Sequence, residues 1–218
     1  MQTPIRNRLV FLFSLLLLLP VAAAQAGEEA LYAAEAPDGA AFIRIINANT
    51  GGGIAEGRIG GKAIKDVEPL EASAYIYLPE GSYELSVGGK SEAVTMASNR
   101  FYTAVVTGTG ELKVLEDADF DNPRKALVSF YNLTDSATVT LKTADGKVAV
   151  TDPVAPMQMA NREINAVKVA MGAFSKDQAL AKTSEVNLQR GKVFSFFAIE
   201  VGGQPRLVVA ENRVDTSA

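Results

Sequence analysis

The chain contains no histidine and no cysteine in 218 residues. The first absence removes the Ser-His-Asp triad and the histidine general base. The second removes a thiolate nucleophile, any disulfide and any cysteine-ligated metal. No Gly-x-Ser-x-Gly elbow and no Ser-x-x-Lys pair is present either, and a serine without a base is a poor nucleophile. Chemistry would have to rest on carboxylates, lysine, tyrosine or a bare serine. The expectation is a binding or assembly protein with no catalytic residue, no metal and no cofactor.

Long apolar runs are equally scarce. The one that exists, Leu9–Leu19, follows Arg6 and Arg8 and is closed by Pro20, with Ala24-Gln25-Ala26 as a small-x-small cleavage site before Gly27. This is the pattern of a secretory signal peptide over residues 1–26, and the run is too short for a span that needs about 20 residues. With no lipobox cysteine a lipoprotein is excluded. Loss of Arg6 and Arg8 takes the formal charge from −4 to −6, which does not suit nucleic acid or an anionic membrane surface. An exported chain without cross-links must be held by its core, which fits a bacterial periplasm.

What remains reads as strands and turns. Ser82–Val87, Thr138–Leu141 and Val167–Met171 alternate polar and apolar residues, as half-buried strands do. Ser73–Leu78 puts Tyr75 and Tyr77 on one face, Ile76 and Leu78 on the other, so one face must be wet or covered by something else. Phe101–Val106 and Val193–Val201 are aromatic and β-branched, as central strands are. Gly60-Gly61, Gly88-Gly89, Asp145-Gly146 and Gly202-Gly203 mark turns. No amphipathic helix is evident, and Lys176–Val186 is the segment with the weakest pattern. An internal repeat is also present. Phe42-Ile43-Arg44-Ile45-Ile46-Asn47 aligns with Leu127-Val128-Ser129-Phe130-Tyr131-Asn132 at an offset of 85. Glu68-Pro69-Leu70 aligns with Asp152-Pro153-Val154, and Tyr83–Val87 with Val167–Met171. Together these predict an all-β protein of two tandem β-sandwich domains, residues 27–116 and 124–218, of about 90 residues each. A short acidic linker, residues 117–123, would join them. Asn47 and Asn132 are expected to turn the chain after the first strand of each copy.

Several side chains invite a functional reading. Asp117-x-Asp119-x-Asp121 begins like a calcium loop, but Asn122 and Val128 stand where an EF-hand needs glycine and glutamate, leaving a solvated acidic hinge as the expectation. Arg162, Glu163 and Asn165 cluster at a strand end, where they could meet a sugar or a protein partner or simply pair locally. Tyr32, Tyr75, Tyr77 and Tyr102 could stack on sugar rings, although strand aromatics are more often core. Arg44, Arg58, Lys62 and Lys65 could meet carboxylates. The candidate partner or sugar contacts are Tyr32, Arg44, Arg162, Glu163 and Asn165.

A co-linear series resembles the AlgF family of alginate biosynthesis proteins. It comprises Ala30-Leu31-Tyr32, Ala36-Pro37-Asp38-Gly39, Phe42–Ile45 with Asn47, Lys125-Ala126-Leu127, Asn132-Leu133, Leu141–Lys147, and Arg162-Glu163-Ile164-Asn165 with Val167-Lys168-Val169. The resemblance implies a periplasmic role in O-acetylation of mannuronate residues, beside a membrane-bound acyltransferase and periplasmic transferases that carry a Ser-His-Asp site. A chain without histidine cannot supply that site. Three hypotheses follow: an adaptor between acetylation components, an alginate-binding module, and a covalent acetyl carrier.

Overall fold

The computed structural model describes residues 36–216, which fall in one compact unit; the expected signal peptide, residues 1–26, and Tyr32 lie outside them. The described residues form fifteen strands and no helix. The strands are β1 (Ala41–Asn47), β2 (Ile54–Ile59), β3 (Lys62–Val67), β4 (Ile76–Leu78), β5 (Gly81–Val87), β6 (Lys90–Met96), β7 (Phe101–Val106) and β8 (Leu112–Glu116), followed by β9 (Ala126–Leu133), β10 (Thr140–Thr143), β11 (Gln158–Ile164), β12 (Val167–Ser175), β13 (Gln178–Leu188), β14 (Val193–Val201) and β15 (Gln204–Glu211). The weakly patterned segment at 176–186 is β13, entered by a turn in which Lys176 takes a left-handed φ of 53°.

The strands make two sandwiches of one plan. The inner sheets run β4-β1-β7-β8 and β11-β9-β14-β15; the outer sheets run β3-β2-β5-β6 and β10-β12-β13. In both inner sheets the first strand of the copy pairs parallel with a much later one, β1 with β7 and β9 with β14. The outer hairpins β2–β3 and β5–β6, and the inner β14–β15, turn on Gly-Gly pairs with both φ angles positive. That geometry matches the twist of paired strands and excludes side chains with a Cβ at low cost. Gly57 serves a different purpose, because a Cβ there would come within 2.5 Å of Ile45 Cδ1.

The asparagines at the ends of β1 and β9 do the same work in both copies. The Asn47 amide donates to the Gly52 and Val67 carbonyls, and its oxygen accepts from the Asn49 N–H. The Asn132 amide donates to the Ser136 and Val154 carbonyls, and its oxygen accepts from the Thr134 N–H and hydroxyl. The turn reading therefore holds, with both side chains fully buried. One alignment needs correcting. Val67-Glu68-Pro69-Leu70 is the counterpart of Val154-Ala155-Pro156-Met157, not of the stretch around Pro153. Val67 and Val154 are the equivalent acceptors, and the Leu70 and Met157 N–H groups return to the Asn47 and Asn132 carbonyls. Leu70 and Met157 share left-handed φ angles of 64° and 55°.

Three cores result. Alternate residues of β1 and β7 (Ile43, Ile45, Tyr102, Ala104) fill the first sandwich. Alternate residues of β9 and β14 (Val128, Phe130, Phe194, Phe196) fill the second. The opposite faces of these strands meet each other. Ile46, Ala48 and Val105 from the first copy pack with Tyr131, Phe197 and Ile199 from the second. The inner strands are thus buried on both faces, which is why they read as unbroken apolar runs.

Candidate functional site

The core between the sandwiches is apolar, and beside it lies one layer of buried charge. There Arg44, placed by β1, is 1% exposed, and Asp117, just past β8, is 8% exposed. Isolated charges so buried would cost several kcal/mol each, so their partners decide whether the seam can close. The two meet through hydroxyls. Arg44 Nε donates to Thr103 Oγ1 at 2.9 Å, and Thr103 Oγ1 donates to Asp117 Oδ2 at 2.7 Å. An Arg44 terminal nitrogen donates to Tyr131 Oη at 3.5 Å, and Tyr131 Oη donates to Asp117 Oδ1 at 2.7 Å. Tyr75 Oη donates to Asp117 Oδ2 at 2.7 Å. On its other side Arg44 donates to Ser195 Oγ and Asn212 Oδ1, both at 2.7 Å, and its guanidinium lies over the Tyr75 and Phe197 rings. Four guanidinium hydrogens and three carboxylate lone pairs are used, as buried charge demands.

The layer follows the internal repeat. Arg44 is register partner to Thr103 as Ser129 is to Ser195. The Asp117 N–H bonds the Phe101 carbonyl as the Asn212 N–H bonds that of Val193. Arg44, Thr103 and Asp117 therefore correspond to Ser129, Ser195 and Asn212. Copy one carries both charges; copy two carries neutral groups of similar placement. The Ser195 hydroxyl donates to Asn212 Oδ1 at 2.8 Å, mirroring Thr103 on Asp117. A second arginine and aspartate would have doubled the buried charge without new partners to absorb it.

After Asn212 the chain crosses to the first sandwich. The Tyr75 N–H bonds the Arg213 carbonyl at 2.8 Å, and the Asp215 N–H bonds the Tyr75 carbonyl at 2.7 Å, so Val214 pairs parallel beside Tyr75. This clasp and the second sandwich cover the Tyr75 face of the β4 segment, which the sequence left open.

Burial raises the pKa of Tyr75 and of Tyr131, reinforced by the Asp117 charge and opposed by Arg44. Burial works against the Arg44 charge, but Tyr75, Tyr131 and Asp117 more than offset it, and its pKa is raised. A tyrosine whose folded pKa is raised contributes stability that is complete below its unfolded pKa of about 10. That stability is lost as pH climbs from there through the folded value. Each tyrosine is expected to add up to about 1.4 kcal/mol per pH unit to the alkaline fall in stability. Urea unfolding in steps from pH 8 to 12 measures this. Tyr75→Phe/Tyr131→Phe should start from a lower plateau and show a shallower fall, and parallel curves would show that these hydroxyls do not titrate late.

The sequence-based candidates do not converge on one surface. Arg44, read as a partner or sugar contact, is sealed in the seam and offers no surface to a ligand; a charge in a central strand is drawn to the one buried polar layer. Asp117 is likewise no part of a solvated hinge, while Asp119 and Asp121 are exposed, so the three acids do not face one point. Tyr75 and Tyr102 are buried. Lys62 sits over the Tyr77 ring and Arg58 pairs with Glu56. Arg162, Glu163 and Asn165 are exposed, and each holds a neighbouring segment. Arg162 donates to the Ala149 carbonyl, Glu163 accepts from Asn122, and Asn165 accepts from Lys125. Sequence reasoning missed Thr103, Tyr131, Ser195 and Asn212. The available signal was a lone arginine inside Phe42–Asn47, an apolar run that required buried partners.

Comparison with known proteins agrees over most of the chain. The family model described as alginate O-acetyl transferase AlgF matches residues 14–195. The alginate biosynthesis protein AlgF of Pseudomonas putida is 41% identical over 165 residues, covering 76% of this chain and 75% of that protein. That of Pseudomonas aeruginosa is 39% identical over 182 residues, 84% of this chain and 83% of its own. A solved C-terminal domain of AlgF from P. aeruginosa is 38% identical, with a TM-score of 0.38, covering 41% of this chain and 99% of that one. The N-terminal domain is 30% identical, with a TM-score of 0.34, covering 38% and 100%. On the family match and the identity of the two Pseudomonas relatives over at least three quarters of their length, the chain belongs to the AlgF family.

Proposed function

We propose that this protein is a non-catalytic adaptor for O-acetylation of alginate mannuronate residues, exported to the periplasm, where it holds acetyltransferase components together. The observation that carries the reading is the state of its most catalysis-like group. Ser195, Asp117 and the two tyrosines are buried and Asn212 is half-buried, and their hydrogen bonds are directed at each other and at Arg44. Such a layer orders two sandwiches; it does not present a nucleophile to a polymer. The family relationship supplies the acetylation system, and two sandwiches joined through one core would offer partners surfaces at a set spacing.

The test pairs a pull-down of the chain from Gly27 onward with the periplasmic acetyltransferases and the membrane-bound acyltransferase against a titration with mannuronate oligosaccharides. Micromolar or tighter protein binding without sugar binding is the expected result. Sugar binding with no protein partner would replace the adaptor by a carbohydrate-binding module. An added acetyl mass (~42 Da) on the intact chain would replace it by a carrier, which needs a covalently activated side chain.

A further inference from the structure

Beside the polar layer the seam opens into a cavity of about 240 Å³. It is lined by the buried Ser129 and Asp117, the half-buried Asn212, Phe101 and Phe120, and the exposed Lys192, Arg213 and Val214. Ser129 is the counterpart of Arg44 in the second copy. Where Arg44 fills its side of the seam, serine leaves space. Ser129 is 2% exposed, and its hydroxyl has no hydrogen-bond partner among the described residues. The hydroxyl lines the cavity, where a group seated in it can reach the oxygen.

We infer that this cavity receives an acidic side chain, flanked by a large apolar residue, from a partner protein. The inference rests on the adaptor reading and names the surface and chemistry of one contact. Charge selects the ligand. Of the three charged lining residues, Asp117 already accepts from three hydroxyls and faces Arg44 across them. Lys192 is shared with Glu211 at 3.4 Å, and Arg213 has no ion-pair partner among the described residues. Asp119 and Asp121 flank Phe120 but do not line the cavity. A single carboxylate would take hydrogen bonds from Ser129 and Arg213, with Lys192 adding charge. The neighbouring apolar group would cover Val214, one of three large hydrophobic residues exposed among those described. A desolvated pocket with aromatic walls is where one anchor residue contributes most. A polyuronate fits less well, since it brings a row of carboxylates to a mouth with two cations and no apolar group to fill the walls.

Two variants test this in the partner titration, Arg213→Glu and Ser129→Val. The first reverses the mouth; the second removes a hydroxyl that bonds no described residue, so urea midpoints near wild type are expected. Arg213→Glu should weaken partner binding at least tenfold and Ser129→Val several-fold. In parallel, the capped peptide Ac-Leu-Glu-Leu-NH₂ should shift the backbone amide signals of Ser129 and Asn212, and its glutamine counterpart should not. If wild type and both variants bind the acetyltransferases equally, the cavity is not the contact and the adaptor reading stands. If no acetyltransferase binds wild type, the adaptor reading fails, and the peptide pair alone judges the cavity. Equal shifts from both peptides, no shift from either, or displacement by mannuronate oligomers would overturn the inference.

Discussion

Asp117→Ala is expected to destabilise the protein by about 3–5 kcal/mol, the cost of removing one partner from a buried charge pair. For a chain of this size that corresponds to a thermal midpoint lower by roughly 10 °C. The loss exceeds that of an ordinary hydrogen bond because several groups fail together. Tyr75, Thr103 and Tyr131 lose their acceptor, and Arg44 keeps its charge in a seam with no anion. Asp117→Asn should fall between, since it keeps the shape and part of the hydrogen bonding but leaves Arg44 uncompensated. A cycle with Arg44→Met distinguishes a network from a list of contacts. The double variant is expected to be clearly more stable than the two single losses predict, because each single variant strands the opposite charge. Additive losses, or a cost below about 1 kcal/mol for Asp117→Ala, would mean that water reaches the layer and screens it.

The second large effect separates the cores. Phe196 and Phe197 are adjacent on β14 and fully buried, but point to opposite faces. Phe196 fills the second sandwich; Phe197 stacks on Tyr131 with ring centroids 4.6 Å apart, in the core between the sandwiches. Alanine at either position should cost about 3–5 kcal/mol. The consequences differ. Phe196→Ala should lower the melting of the second sandwich most. Phe197→Ala should weaken the coupling, so that a single calorimetric transition splits in two while each sandwich keeps its own core. Amide exchange would show the same contrast. Protection at Ile46 and Val105 in the first sandwich should drop for Phe197→Ala and change little for Phe196→Ala. An identical response of the first sandwich to both would show that the seam does not transmit stability as its packing implies.

Much of this architecture was legible in the chain before folding. Period-two alternation, Gly-Gly turns and the repeat around Asn47 and Asn132 determine local geometry, and they pointed to two similar all-β units. The repeat failed locally where a proline was matched to the wrong proline. The shared acidic residue before proline, Glu68-Pro69 and Asp152-Pro153, outweighed the pattern Val-x-Pro, whose meaning lies in a carbonyl that an asparagine side chain reaches across the loop.

The sequence by itself determined that the inner strands would be apolar on both faces, but not what would lie against the second face. That was decided by tertiary structure, because alternation states that a face is buried and carries no address for the surface that buries it. Arg44 shows the difference most plainly. In sequence an arginine with tyrosines elsewhere reads as a surface for a sugar. Only the fold brings Thr103, Asp117, Tyr131, Ser195 and Asn212 around it, from positions up to 168 residues away, and turns a ligand candidate into the pin between two sandwiches. The cavity beside Ser129 is a product of the same step, arising where one copy carries a small neutral residue and the other a long cation. Neither residue has that meaning until the two copies are packed back to back.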